Sequence, residues 1–302
     1  MCDLNEKFKE WQEWLLGDDI HSIKKQILAM IWDSAVFQSV NEARRYAPVD
    51  ENDNPKLNGT LHGFIDHCFF QTQALAIRRL LDKGPAIGEK AVCSLYRLVR
   101  DMETNRALLT RQKILAALEY PYEYEEAFER DRESNGMKYF HAKSVHKNID
   151  FLAGVSPNQR SPVDTVHAAI FAWLKARLDG CEDIYTYVNK FVAHPATPDS
   201  RAAIGADEIR ITLGRLFETH QIICQTAQFI GITLFYHDFG NFLVSCTYDQ
   251  FEHFEKPWAT DDTLAKLRDF WHQYENATET WRAWDWAREF NEASGRVAEE
   301  TQ

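Results

Sequence analysis

The short segment NKFVAH has the residue types in this chain that best suit chemistry. It places an amide at Asn189, an ammonium at Lys190 and an imidazole at His194. Pro195 disfavours the α conformation at the residue before it, so we expect His194 at or beyond the end of a helix. A histidine near a helix C-terminus is favoured in its protonated form and can titrate near neutral pH. Such a group suits proton transfer.

A plainer interpretation of the same segment requires no activity. In it, the imidazole of His194 caps the last carbonyls of its helix and Asn189 is an ordinary surface amide. Judged on these residues alone, this interpretation is the favoured one. The wider sequence must therefore show which elements position the segment.

Hydrophobic periodicity predicts an all-α protein. Long segments repeat apolar residues at spacings of three and four and lack the alternation of half-buried strands. The chain contains a loop rich in Pro, Asn, Asp and Gly at 48–59 and a second break at 152–162, where Ser161 is expected to cap the next helix. The predicted helices span 5–16, 20–46, 61–83, 89–118, 137–152, 161–179, 181–193, 206–237 and 260–296.

These helices are expected to form an antiparallel bundle with a helical appendage. The stripe Ile209, Leu213, Leu216, His220, Ile223, Ala227, Ile230 and Leu234 predicts a central bundle helix. After about residue 245 the composition shifts to tryptophan and acidic residues. We therefore predict a bundle over 1–240 and an acidic, Trp-rich helical appendage over 241–302.

Composition excludes several classes of protein. The chain has 302 residues of which 45% are hydrophobic, six scattered cysteines and a net charge of −12. It shows no signal peptide, no membrane span, no paired-cysteine motif and no zinc spacing, which predicts a cytoplasmic protein without metal or cofactor. The negative charge argues against broad, nonspecific binding to nucleic acid.

Two other segments are candidate sites. Arg97, Arg100 and Arg111 lie within about 60° of one another on the predicted helix 89–118, where they would form a row for phosphates. Arg215 and His220 match an Arg-x4-His pattern, but they point about 140° apart on one helix and His220 lies on the apolar stripe. A solvated face and a satisfied core histidine are the favoured interpretations.

The string NKFVAH, between a preceding helix and a following long amphipathic helix, resembles the motif of the HEPN superfamily. That motif is an arginine, then a polar residue, then a histidine a few residues later. The segments LNGTLHGFIDHCFFQTQALAIRRLLDK and SLYRLVRDMETNR resemble the helices that precede it in the abortive-infection (AbiU-like) branch. The resemblance covers about residues 20–237.

The resemblance implies a HEPN-type bundle that dimerises and cuts RNA without a metal. His194 would take the place of the histidine, which moves protons at the 2′-hydroxyl or the leaving oxygen, and Asn189 that of the polar residue. The sequence departs from the motif at Val188, where an arginine is expected to stabilise the phosphate charge. Lys190 and Arg201 are the first candidates to replace that arginine, and Arg78 or Arg79 are the alternatives.

Two functions follow from this resemblance. The first is a metal-independent endoribonuclease that acts in phage defence or as a toxin–antitoxin component, with RNA as substrate, a homodimer as the active form and an antitoxin or defence protein as partner. The second is a catalytically degenerate module that binds RNA, nucleotide or a protein. A third, suggested by the net charge alone, is an acidic mimic of nucleic acid.

Overall fold

The computed structural model describes residues 4–54, 56–85, 88–89, 91–123, 137–193, 196–205, 209–243, 245–254, 256 and 261–280. Within these ranges the protein is all-helical, as the periodicity predicts, and the described residues contain no β-strand. The helices are α1 (Leu4–Leu16), α2 (Ile23–Arg45), α3 (Gly59–Leu80), α4 (Leu95–Thr104), α5 (Arg111–Ala117), α6 (Met137–Ala153), α7 (Ala168–Asp179), α8 (Glu182–Tyr187), α9 (Pro198–Ala202), α10 (Leu213–Leu234) and α11 (Asp261–Thr280).

Helix α10 forms the centre of the bundle. It contacts α2, α3, α6 and α7. The predicted stripe explains this position, because Leu216, His220, Ile223, Ala227, Ile230 and Leu234 are all buried. The side chain of Thr212 caps the helix by accepting a hydrogen bond from the backbone N–H of Arg215 at 3.1 Å. The prediction of a central helix is therefore confirmed.

His220 is a core histidine, as predicted, but it is not a satisfied one. The residue is 4% exposed, and its Nε2 has no hydrogen-bond partner among the described residues. Burial lowers the pKa of His220 to about 4, because the charged imidazolium cannot be solvated in the core. The imidazole is therefore neutral near pH 7.

Acid is expected to destabilise the fold partly through His220. Its pKa is about 4 in the folded protein and 6.5 in the unfolded chain, so the unfolded chain alone gains a proton as the pH falls between these values. The contribution of His220 to the free energy of unfolding is fully present above pH 6.5. Between pH 6.5 and about 4 it decreases by about 1.4 kcal/mol per pH unit. Denaturant unfolding of the wild type and of His220→Met between pH 7 and 4.5 measures this contribution. The free energy of unfolding of His220→Met should depend less steeply on pH than that of the wild type. An equal dependence on pH in both proteins would contradict the low pKa of His220.

The predicted helix 89–118 is wrong, because the structure divides it into two helices. Helix α4 ends at Thr104, a 3₁₀ turn spans Arg106–Leu108, and α5 starts at Arg111. The cause is pairing with a distant loop: the backbone N–H of Arg111 donates to the carbonyl of Asp164 at 2.8 Å. A bridge between Thr110 and Thr165 continues this pairing. Tertiary contacts cause the break, since residues 105–110 contain no proline or glycine that would predict it.

The helix after this loop also starts later than predicted, because the residues before it pair with α5. Helix 161–179 was predicted with Ser161 as its cap, whereas α7 begins at Ala168 and His167 caps it by accepting from the N–H of Ala169 at 3.2 Å. Ser161 instead lies in the loop that meets α5, where its N–H donates to Asp164 Oδ2 at 2.9 Å. Residues 161–167 are therefore a connecting loop.

The structure contradicts both interpretations of the arginine row, the favoured solvated face and the alternative row for phosphates. Arg111 is fully buried, and its guanidinium donates to Asp164 and Asp150 at 2.8 Å each. Arg97 is 6% exposed, lies 4.0 Å from the ring centroid of Trp14 and donates to the carbonyl of Val92. Only Arg100 of the three faces solvent. Two of these cations hold the fold together and are not available to a phosphate.

The chain divides into two compact units, residues 1–244 and 245–302. The described part of the second unit contains α11, on which Leu264, Leu267, Trp271 and Tyr274 are exposed at helical spacing. Trp281, Trp284 and Trp286 of the predicted Trp-rich appendage lie outside the described residues. In the described helices, no segment has the length and apolar character that crossing a membrane requires.

Candidate functional site

The NKFVAH segment begins in a π-helical turn at the end of α8. The turn spans Val188–Val192, and the N–H of Ala193 donates to the carbonyl of Val188 at 2.8 Å, five residues back. Turns of this kind are rare and are frequently found at functional sites. Val188 is fully buried, so the position next to Asn189 belongs to the core. An arginine at residue 188 would not face solvent in this geometry.

A guanidinium from a distant helix contacts the amide of the motif. Arg78, near the C-terminal end of α3, donates from Nε to Oδ1 of Asn189 at 2.8 Å across 111 residues of sequence. The side chain of Arg78 is 27% exposed, so a solute can reach it. Because Nε donates to Asn189 and Nη1 lies 3.5 Å from Oδ2 of Asp82, Nη2 is the group best placed to donate to a bound anion. The structure thus brings together one motif residue and one of the alternative arginines.

Two side chains hold Arg78 in this position. Its Nη1 lies 3.5 Å from Oδ2 of Asp82, one turn further along the chain, and its guanidinium carbon lies 5.5 Å from the ring centroid of Tyr185. The carboxylate and the aromatic ring both favour the cation. The NKFVAH segment does not by itself indicate either Asp82 or Tyr185. The spacing of four residues between Arg78 and Asp82 is the signal that would have found the first.

Lys190 is held by the segment that follows the motif. Its Nζ donates to Oγ of Ser200 in α9 at 2.8 Å, and its carbonyl accepts from the N–H of Ala196 at 3.1 Å. Thr197 starts α9 by accepting from the N–H of Ser200 through its hydroxyl at 3.3 Å. In the described part of the chain, Lys190 forms no ion pair with a carboxylate. Its charge is therefore available to a nearby anion.

Arg201 packs on the same turn. Its Nη1 donates to the carbonyl of Ala196 at 2.7 Å, and its guanidinium carbon lies 5.6 Å from the ring centroid of Phe191. The ring of Phe191 stacks on that of Tyr187, with centroids 5.2 Å apart and planes at 27°. Arg201 thus folds back against the motif, next to the aromatic pair.

The structure describes most, but not all, of the predicted site. Asn189, Lys190 and Arg201 lie in and around the π-turn, and Arg78 joins them from α3. His194 lies outside the described residues. The chain before and after it is anchored, since Ala193 and Ala196 both bond back to the π-turn. The role of His194 as the proton-transfer group stays a prediction.

What the described residues can do is bind an anion beside a hydrogen-bonded amide. Arg78 presents a planar guanidinium, which matches phosphate oxygens in pairs, and Lys190 adds a point charge. Among the described residues, no three His, Cys, Asp or Glu side chains converge as a metal site would require.

Comparisons of the chain with protein-family models, curated proteins and solved structures found no match.

Proposed function

We propose that the protein is a HEPN-type metal-independent endoribonuclease that acts in phage defence or as a toxin–antitoxin component. The observation that carries the proposal is the hydrogen bond between Arg78 Nε and Asn189 Oδ1 at 2.8 Å. The resembling motif lacks its arginine because residue 188 is valine. A guanidinium from α3 lies beside the polar residue of the motif and supplies the charge that Val188 cannot.

In the proposed reaction, the 2′-hydroxyl of a ribose loses its proton and the 2′-oxygen attacks the neighbouring phosphorus. The bond from phosphorus to the 5′-oxygen breaks, and that oxygen receives a proton. His194 moves protons in these steps, while Arg78 and Lys190 stabilise the charge that develops on the phosphate oxygens. The active form is a homodimer with two motifs in one cleft, and an antitoxin or other defence protein restrains it.

The test is RNA cleavage in the presence of EDTA. Wild-type protein should cut total cellular RNA, and His194→Ala should abolish the cleavage because it removes the proton-transfer group. His21→Ala is the matched control, because it removes an exposed imidazole from the loop between α1 and α2. It should cut RNA as the wild type does. Neither the wild type nor His21→Ala should cut a substrate that has 2′-deoxyribose at the cleavage position, because it lacks the attacking hydroxyl.

A catalytically degenerate module that binds RNA, nucleotide or a partner is the second candidate. The burial of Val188 favours it, because the backbone position that holds the family's arginine faces the core in this chain. The same experiment separates the two. Absence of cleavage in the wild type, or cleavage that His194→Ala leaves unchanged, would contradict the ribonuclease and leave the binding module.

A further inference from the structure

A groove of about 680 Å³ lies between α2 and α10, apart from the proposed catalytic residues. Each helix contributes four residues at positions i, i+3, i+4 and i+7, so the groove follows one face of both helices. Its volume lies within the range of small-molecule sites. The groove therefore has room for a ligand of the size of a nucleoside.

The polar side chains of the groove have unused hydrogen-bonding capacity. Ser34 and Gln38 from α2, with His220 and Gln221 from α10, line the groove. His220 is 4% exposed, and in the part of the chain that the structure describes its Nε2 has no hydrogen-bond partner, which is costly for a buried polar atom. Its pKa of about 4 keeps the imidazole neutral, so it can either donate or accept. A ligand with a polar edge would complete these bonds.

The remaining chemistry of the groove selects a neutral, planar ligand. None of the eight lining residues carries a charge near pH 7. A carboxylate or phosphate would therefore be desolvated there without a counter-ion, and a plain hydrocarbon would desolvate the polar side chains without replacing their bonds. Phe217 is 66% exposed at the rim and offers an aromatic face for stacking.

We propose that the groove between α2 and α10 binds a neutral heteroaromatic molecule of the nucleoside type. Phe217 stacks on the heterocycle, and the amides of Gln38 and Gln221 pair with its polar edge. Glutamine amides pair with the N6 and N7 edge of adenine through two hydrogen bonds, so a purine fits these side chains best. This site is separate from the proposed ribonuclease site and does not depend on it.

Calorimetric titration of the full chain with adenosine tests the proposal. We expect saturable binding with a dissociation constant of about 1 mM or lower. Phe217→Ala and Gln221→Ala should each weaken it about tenfold or more, since both side chains are exposed and their loss leaves the core intact. Phe64→Ala, which removes a phenylalanine of similar exposure on α3, is the matched control and should bind as the wild type does.

Each other outcome overturns the proposal. These outcomes are no saturable binding, or equal binding by wild type and Phe217→Ala. AMP that binds more tightly than adenosine would show a site for a charged nucleotide. If adenosine does not bind and sedimentation finds a dimer that Phe217→Ala dissociates, the groove is an interface between copies of the chain. Phe217→Ala should cleave RNA as the wild type does. A failure of adenosine binding would therefore not contradict the proposed ribonuclease, and a failure of cleavage would not contradict the nucleoside site.

Discussion

Replacement of Arg78 by glutamine is expected to lower the rate of RNA cleavage in EDTA by about two to three orders of magnitude. Glutamine keeps a side-chain N–H donor at this position but removes the positive charge that lies beside Asn189. In the proposed reaction, the negative charge on the phosphate oxygens grows as the 2′-oxygen attacks, so the cation would contribute more in the transition state than in the bound substrate. The loss should therefore appear mainly in kcat, measured under single-turnover conditions with a defined oligonucleotide.

Arg79→Gln is the matched control for this prediction. Arg79 carries the same charge, is the next residue on α3, and is exposed about 100° around the helix from Arg78. It should cleave RNA at the wild-type rate, which separates a local effect of Arg78 from the change in net charge. Arg78→Lys should recover part of the rate, because it restores the charge without the planar fork. A loss of less than about threefold for Arg78→Gln would contradict the assigned role, and thermal unfolding shows whether the variant is folded.

The sequence indicates which residues of the candidate site are adjacent, but it does not indicate which distant residues contact them. Asn189 and Lys190 are neighbours in the chain, so the sequence alone places them together. The bond between Arg78 and Asn189 joins residues 111 positions apart, and it depends on how α3 packs against α8 and the π-turn. Arg78 was therefore one of several possible cations until the packing was known.

The fold shows the same division between local and tertiary causes. The stripe of α10 predicts its burial because helical spacing alone decides which side chains share a face. The break between α4 and α5 was missed because its cause lies in the pairing of Arg111 with the loop at Asp164. Local sequence has no signal for such a break unless a proline or glycine is present.

Arg111→Met is expected to lower the free energy of unfolding by about 3 to 5 kcal/mol, the cost of leaving a buried charge without its partner. Arg111 is fully buried and donates to Asp164, Asp150 and the carbonyl of His146, so it joins α5 to α6 and to the loop before α7. Methionine keeps most of the side-chain volume and removes every one of these hydrogen bonds. Asp150 keeps Arg160 as a partner, at 2.7 Å, so the larger part of the loss falls on Asp164.

Arg100→Met supplies the comparison, because it makes the same substitution at another arginine of the predicted helix 89–118. Arg100 is exposed on α4, so its loss should change the free energy of unfolding by no more than about 0.5 kcal/mol. Denaturant unfolding of both variants at pH 7 gives the two values. Similar small effects would mean that the buried ion pairs contribute no more than a surface charge. A large effect for Arg111→Met alone would support the conclusion that these ion pairs, and not a phosphate site, account for the arginine at this position.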